Sequence, residues 1–169
     1  MSNPLALILG GARSGKSRHA EALLKALPPP WTYIATAEAF DLEMEARIAE
    51  HRARRPDGWV TADVPHELPE AIATAAPDAP LLVDCLTLWL SNLMLSEADL
   101  DAAMEALSTA LAGRRALTVL VSNEVGSGIV PATPLGRAFR DAQGRLNQRM
   151  AAQAGRVELI VAGLSMRLK

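Results

Sequence analysis

Apolar runs recur along the chain at Leu5–Leu9, Trp31–Thr36, Trp59–Ala62, Leu81–Asp84, Leu117–Ser122 and Val157–Ala162. Several are continuously apolar rather than alternating, which predicts strands covered on both faces, as in a parallel sheet. Between them the spacing predicts helices over Ser17–Leu27, Asp41–Arg55, His66–Ala76, Thr87–Leu95, Glu97–Arg114 and Leu135–Ala154. Strand and helix alternate throughout, the order of an α/β sheet with right-handed crossovers and helices on both faces. The Pro28–Pro30 and Pro77–Pro80 breaks read as loops, and neither a repeat nor a low-complexity tract interrupts the pattern. Helix Asp41–Arg55 carries Asp41, Glu43 and Glu45 in its first turns and Arg52, Arg54 and Arg55 in its last, a charge order that suits the helix dipole.

With 169 residues the chain is expected to form one domain over residues 1–169. Half of it is hydrophobic but only 4% aromatic, so the core must be built mainly from Ala, Leu, Val and Ile. Seventeen basic residues against 19 acidic, net charge −2, argue against disorder and against a generic nucleic-acid coat. The single cysteine, Cys85, fits a reducing compartment. The most apolar stretch, Leu81–Leu95, is broken by Asp84, Ser91 and Asn92, short of the about 20 residues a span needs. The N-terminus has no basic n-region. A cytoplasmic protein without stable membrane insertion is therefore expected. Only Lys16, Lys25 and Lys169 are lysines, so a lysine in a special context stands out.

One does. Gly10-Gly11-Ala12-Arg13-Ser14-Gly15-Lys16-Ser17 fits G-x-x-x-x-G-K-[ST] at every position, between an apolar strand and a helical pattern. Such glycines let backbone N–H groups turn inward onto phosphate oxygens, and the helix N-terminus adds its positive end. Lys16 would reach the β- and γ-phosphates, and the Ser17 hydroxyl would ligate Mg²⁺. The acidic end of a later apolar strand, Leu81-Leu82-Val83-Asp84, supplies a second oxygen donor for the metal. A P-loop NTPase fold of RecA-like type follows.

Three functional classes fit such a fold. A GTPase switch lacks its guanine-reading N-K-x-D, since the corresponding position reads Ser122-Asn123-Glu124-Val125, and Asp141-Ala142-Gln143-Gly144 falls inside a predicted helix. A RecA-like nucleotide-dependent nucleic-acid binder would use Arg137, Arg140, Arg145 and Arg149 as a basic face, but Asp141 interrupts it. A compact small-molecule kinase or nucleotidyltransferase fits best.

Further motifs carry a specific resemblance. The loop GGARSGKSRHAE (Gly10–Glu21), YIAT (Tyr33–Thr36), ARI with His51, the acidic strand end beside Cys85, SNEVGSGIVP (Ser122–Pro131) and RAFRDAQGRLNQRMA (Arg137–Ala151) together resemble the bifunctional adenosylcobinamide kinase/adenosylcobinamide-phosphate guanylyltransferases of cobalamin biosynthesis. The resemblance covers essentially the whole chain. It implies phosphorylation of the aminopropanol hydroxyl of adenosylcobinamide by a nucleoside triphosphate, ATP or GTP. Transfer of GMP from GTP would follow, through a histidine–GMP intermediate, giving adenosyl-GDP-cobinamide. It also implies a homotrimer, for which Leu86–Leu95 offers apolar surface. A kinase-only relative with a structural His51 is the alternative within the enzymes.

The resemblance places the guanylylated histidine at His51. Read from the residues alone, His51 either closes an apolar stripe with Met44 and Ile48 or acts chemically, and both stay open. Arg47 one turn before it, and Arg52, Arg54 and Arg55 after it, would hold triphosphate oxygens and oppose protonation of the imidazole. His19 and His66 carry no predicted chemistry. Ala35, Thr36 and Ala37 after the second strand and Asp63 after the third are implied nucleotide contacts at the carboxyl edge of the sheet. Asn123 and Glu124 end the fifth strand, where they would orient the acceptor hydroxyl or a water. Trp31, Trp59 and Trp89 are too dispersed for a corrinoid platform and are expected in core or interface. A relative can carry Glu where Asp84 stands, and the chain is short between Leu95 and Arg114.

Overall fold

A computed structural model of the chain describes residues 4–38 and 57–169. The elements are β1 (Leu5–Gly10), α1 (Lys16–Lys25), β2 (Trp31–Ala35), β3 (Trp59–Asp63), α2 (Leu68–Thr74), β4 (Leu81–Asp84) and α3 (Leu86–Leu95), followed by α4 (Leu100–Ala112), β5 (Thr118–Asn123), α5 (Pro134–Gln153), β6 (Arg156–Val161) and β7 (Leu164–Arg167). The predicted helix Asp41–Arg55, with His51 and its arginines, lies outside the described residues.

Seven strands form one sheet in the order β3-β2-β4-β5-β1-β6-β7. All pairings are parallel except β6 with β7. Successive strand residues point to opposite faces, and here both faces are apolar. Leu5 and Leu7 of β1, Leu81 and Val83 of β4 and Leu120 of β5 join Leu68, Ile72, Trp89, Leu107, Leu146 and Met150 from α2–α5. Ala6, Ile8, Leu82, Val119 and Val121 point the other way, onto Ala20 and Leu24 of α1. Helices on both sides are thus the physical reason that these strands read as unbroken apolar runs.

Three expectations change. The surplus apolarity of Leu86–Leu95 is not spare surface. Leu86, Trp89, Leu90 and Leu93 are buried in one core layer, where α3 packs against β5, α4 and α5, and Leu88 packs toward the other. Leu95 alone among its large aliphatic residues is well exposed. Trp31 and Trp59, 28 positions apart, are paired in register on β2 and β3 with ring centroids 5.3 Å apart, and Tyr33 meets Trp59 edge-on. Trp89 is fully buried, as expected. Strand β7 was not anticipated. It folds back through Ala162-Gly163, both at positive φ, the two-residue turn that suits a twisted hairpin.

Candidate active site

Parallel strands deliver their carboxyl ends to one edge, and the predicted phosphate loop lies there. Gly10 closes β1 and is the register partner of Asn123 at the end of β5. A Cβ on Gly10 would sit 2.5 Å from Ser14 Oγ and 2.7 Å from the Ile160 carbonyl, so no side chain fits where loop and β6 converge. Gly15 caps α1 at φ 97°, in the left-handed region that other residues enter at a cost. No side chain caps α1 and no acid stands in its first turn, so its leading N–H groups are open to an anion. Ser14 Oγ is buried in the loop and makes no bond to the protein. Lys16 lies across the loop, its Nζ donating to the Gly11 carbonyl at 3.1 Å. Gly11, Ala12 and Arg13 are exposed, and Ser17 is half-buried.

Strand β6 braces the loop from behind. Gly163 N–H donates to the Ser14 carbonyl at 2.9 Å. His19, one turn into α1, sits 2.5 Å from Glu158 on β6, whose other oxygen accepts from Arg156 Nε and Nη2 at 2.9 and 2.7 Å. Burial raises the Glu158 pKa, but the bonds from Arg156 and His19 outweigh that and hold it below the usual carboxylate range. His19 was assigned no chemistry from sequence, and it has a defined partner 139 residues away.

The acidic strand end lies two strands from β1, with β5 between them. Asp84 is half-buried, pairs in register with Ala35 and Val121, and accepts from Tyr33 Oη at 2.7 Å through Oδ2. Tyr33 fixes the carboxylate that the sequence singled out, a role the YIAT motif concealed. Asp63 ends β3 beside Ala35 and is exposed. Thr36 behaves differently from the implied nucleotide contact. Fully buried, its hydroxyl donates to the Cys85 carbonyl at 2.6 Å and accepts from Cys85 N–H at 2.9 Å, and its own carbonyl accepts from Asn92. The side chain is a latch between the ends of β2 and β4; Ala35 and Ala37, half-buried beside it, keep the edge position. Burial, with the Asp84 carboxylate adjoining, pushes the Cys85 thiol up to about 11, so it stays protonated and inert.

Behind β5 a polar network fixes the last member of the edge. Ser122, Gln143 and Asn147 are hydrogen-bonded together, Asn147 holds the Asn123 carbonyl at 3.0 Å, and Thr87 Oγ1 accepts from Asn123 N–H at 2.8 Å. Asn123 Oδ1 is buried without a protein partner. Glu124 is exposed, and its Oε1 accepts from Gly126 N–H at 2.6 Å, which closes a turn. On α5, Asp141–Gly144 is helical, as predicted. Arg137 bonds the Pro131 and Ala132 carbonyls, Arg149 is engaged by Glu105 and Ser108, and Arg140 lies beside Asp141.

No group of three or more His, Cys, Asp or Glu able to hold a metal occurs among the described residues. A Mg²⁺ bound with nucleotide needs less: one or two hard oxygen donors from protein, the rest from phosphate and water. The Ser17 hydroxyl at the start of α1 and the Asp84 carboxylate at the end of β4 are donors of that chemistry.

A glycine loop leading from the end of β1 into an uncapped helix, with an acid two strands away, places the chain among the P-loop nucleotide-binding α/β proteins. Within that class it belongs to the cobinamide kinase / cobinamide phosphate guanyltransferase family, whose profile matches residues 6–168. It is 50% identical over 166 residues to the bifunctional adenosylcobalamin biosynthesis protein CobP of Pseudomonas aeruginosa, covering 96% of each chain. It is 43% identical to the bifunctional adenosylcobalamin biosynthesis protein CobU of Salmonella typhimurium and 41% to that of Escherichia coli, covering 96% of this chain and 98% of each relative. The chain is accordingly an enzyme with kinase and guanylyltransferase activity, acting on cobinamide and cobinamide phosphate.

Proposed function

We propose that one single-domain chain performs both transfers at the carboxyl edge of its sheet, in the assembly of the adenosylcobalamin nucleotide loop. In the first, the aminopropanol hydroxyl of adenosylcobinamide attacks the γ-phosphorus of ATP or GTP. The bridging P–O bond breaks, the nucleoside diphosphate leaves, and the hydroxyl proton is lost. In the second, a neutral ring nitrogen of His51 attacks the α-phosphorus of GTP and pyrophosphate leaves. A phosphate oxygen of adenosylcobinamide phosphate then displaces His51 to give adenosyl-GDP-cobinamide.

The observation that carries this reading is the loop Gly10–Ser17, whose open helix N-terminus and buried, unpartnered Ser14 hydroxyl face the same edge as Asp84. Gly10, Gly11, Ala12, Arg13, Ser14, Gly15, Lys16 and Ser17 hold the phosphates, with Lys16 neutralising charge as the γ-phosphoryl group moves. Ala35, Ala37 and Asp63 line the adjoining strand ends, and Arg52 and Arg54 hold the triphosphate beside His51. Ser17 and Asp84 would hold a Mg²⁺ brought in with the nucleotide, and the ion would supply charge neutralisation to the triphosphate. Tyr33 orients the Asp84 carboxylate by donating to one of its oxygens. The enzyme works as a cytoplasmic homotrimer. A nucleic-acid ligand is disfavoured by the engagement of Arg137, Arg140 and Arg149 within the fold.

Incubation with GTP labelled at the α-phosphate tests the second transfer. Label that is acid-labile, base-stable and absent from His51→Ala is expected. Label retained in His51→Ala would reassign the nucleophile, and its absence from wild type would leave a kinase-only enzyme.

A further inference from the structure

The segment leaving β5 is uncharged and exposes aliphatic side chains at the phosphate edge. From Val125 to Gly136 no residue is charged, and Glu124 and Arg137 flank the run. Ile129 is 97% exposed, and Val130 and Leu135 are each 57% exposed. The segment is nevertheless held in place. Glu124 closes its first turn on Gly126, Thr133 Oγ1 accepts from Gly136 N–H at 3.1 Å, and Arg137 Nη1 reaches back to the carbonyls of Pro131 and Ala132 at 3.0 and 2.9 Å. Its root is at the phosphate edge, where Glu124 N–H donates to the Gly10 carbonyl at 3.1 Å. Aliphatic tips are therefore presented to solvent beside the phosphate loop by a segment that is tied down at both ends.

We propose that residues 125–135 form the platform for the corrin macrocycle of cobinamide, with Ile129 and Val130 as its main contacts. The proposal rests on the function proposed above. A corrin ring is a broad, methyl-edged body with uncharged amide arms, whereas a triphosphate calls for cations and convergent N–H donors. Gly10–Ser17 supplies the second chemistry and residues 125–135 the first. Geometry favours the same division. For transfer the acceptor oxygen must come within roughly 3–3.5 Å of the phosphorus, while the ring it is tethered to lies further out. A segment that begins two residues beyond Asn123, the register partner of Gly10, and continues outward meets both demands.

The test uses the whole enzyme, with the substitutions Ile129→Ser and Val130→Ser combined, and varies cobinamide and nucleotide separately. The KM for cobinamide should rise by about tenfold or more, as loss of buried aliphatic contact predicts. The KM for nucleotide and kcat at saturating cobinamide should stay within about twofold, a split that identifies lost acceptor binding. Mass by light scattering should not change. An unchanged cobinamide KM overturns the platform, and so does a change in mass, which would assign the face to a second copy of the chain. Should the double variant not fold, Ile129→Ala at the fully exposed tip carries the same expectation with a smaller rise. If wild type turns over no cobinamide, the proposed function fails. Calorimetric binding of cobinamide to wild type and variant then decides the platform: binding lost in the variant supports it, while equal binding or none overturns it.

Discussion

Two loops leave neighbouring strands at the same sheet edge and are built in opposite ways. The loop after β1 turns its backbone inward, with glycines where a Cβ would collide and a helix N-terminus behind them. The segment after β5 turns aliphatic side chains outward, and its polar bonds serve only to hold it there. The first is shaped by close approach and the second by exposure. They start from register partners, Gly10 and Asn123, so the difference marks a division of labour between phosphate and acceptor at one edge.

The sharpest way to break that contrast is at Lys16. Lys16→Ala should lower kcat/KM for cobinamide phosphorylation by on the order of 10² to 10³, the loss typical of one charge-stabilising donor. Cobinamide binding by calorimetry should be unaffected. Wild-type-like kinase activity would remove the loop from the chemistry.

A smaller effect separates the loops by steric room. Gly10→Ala forces a Cβ against Ser14 Oγ and the Ile160 carbonyl, whereas nothing lies within 4 Å of a Cβ at Gly128. Overpacking typically costs about 1–3 kcal/mol, and at this chain length about 1 kcal/mol moves Tm by roughly 2–4 °C. Calorimetry should show a clear drop for Gly10→Ala and almost none for Gly128→Ala. Equal drops would mean that the second segment is as tightly packed as the first.

What could be seen from sequence, and what could not, follows the range of the interactions. The phosphate loop was legible because its eight residues are contiguous and both flanking elements are strongly patterned. Asp84 was legible because it ends an apolar run. The partners that fix these groups were hidden, since Tyr33 meets Asp84 across 51 positions and His19 meets Glu158 across 139. The bond of the Thr36 hydroxyl to the backbone of Cys85, across 49 positions, was equally hidden. The apolarity of helix α3 reads as spare surface because sequence cannot tell a helix covered by its own fold from one that awaits a partner. Strand β7 alternates apolar Leu164 and Met166 with polar Ser165 and Arg167, but over four exposed residues that period is too short to stand out.

The brace behind the phosphate loop should respond to pH. Glu158 is held below the ordinary carboxylate range by Arg156 and His19 despite its burial. A carboxyl with a depressed folded pKa adds stability above its unfolded value and loses it as pH falls through the folded one. Tm should therefore decline on acidification from about pH 5 downward, the side on which the unfolded carboxyl takes up its proton first. Glu158→Gln should be less stable at pH 7 and show a shallower decline. An equally steep decline in Glu158→Gln would place the acid sensitivity elsewhere.

The smallest expected effect lies on the second loop and separates contact from positioning. Arg137 acts on the proposed platform through its backbone: its guanidinium ties down the carbonyls of Pro131 and Ala132. Two exposed hydrogen bonds of this kind are worth a modest net amount each, of order 0.5–1.5 kcal/mol, and part of that is recovered by water. Arg137→Ala should therefore raise the cobinamide KM by only about two- to fivefold, the range such an energy allows. The nucleotide KM and kcat should hold, and Arg137→Lys, which keeps a donor, should recover part of the loss. If Arg137→Ala raised the nucleotide KM instead, the segment after β5 would belong to the triphosphate half of the edge, and the division between the two loops would fall.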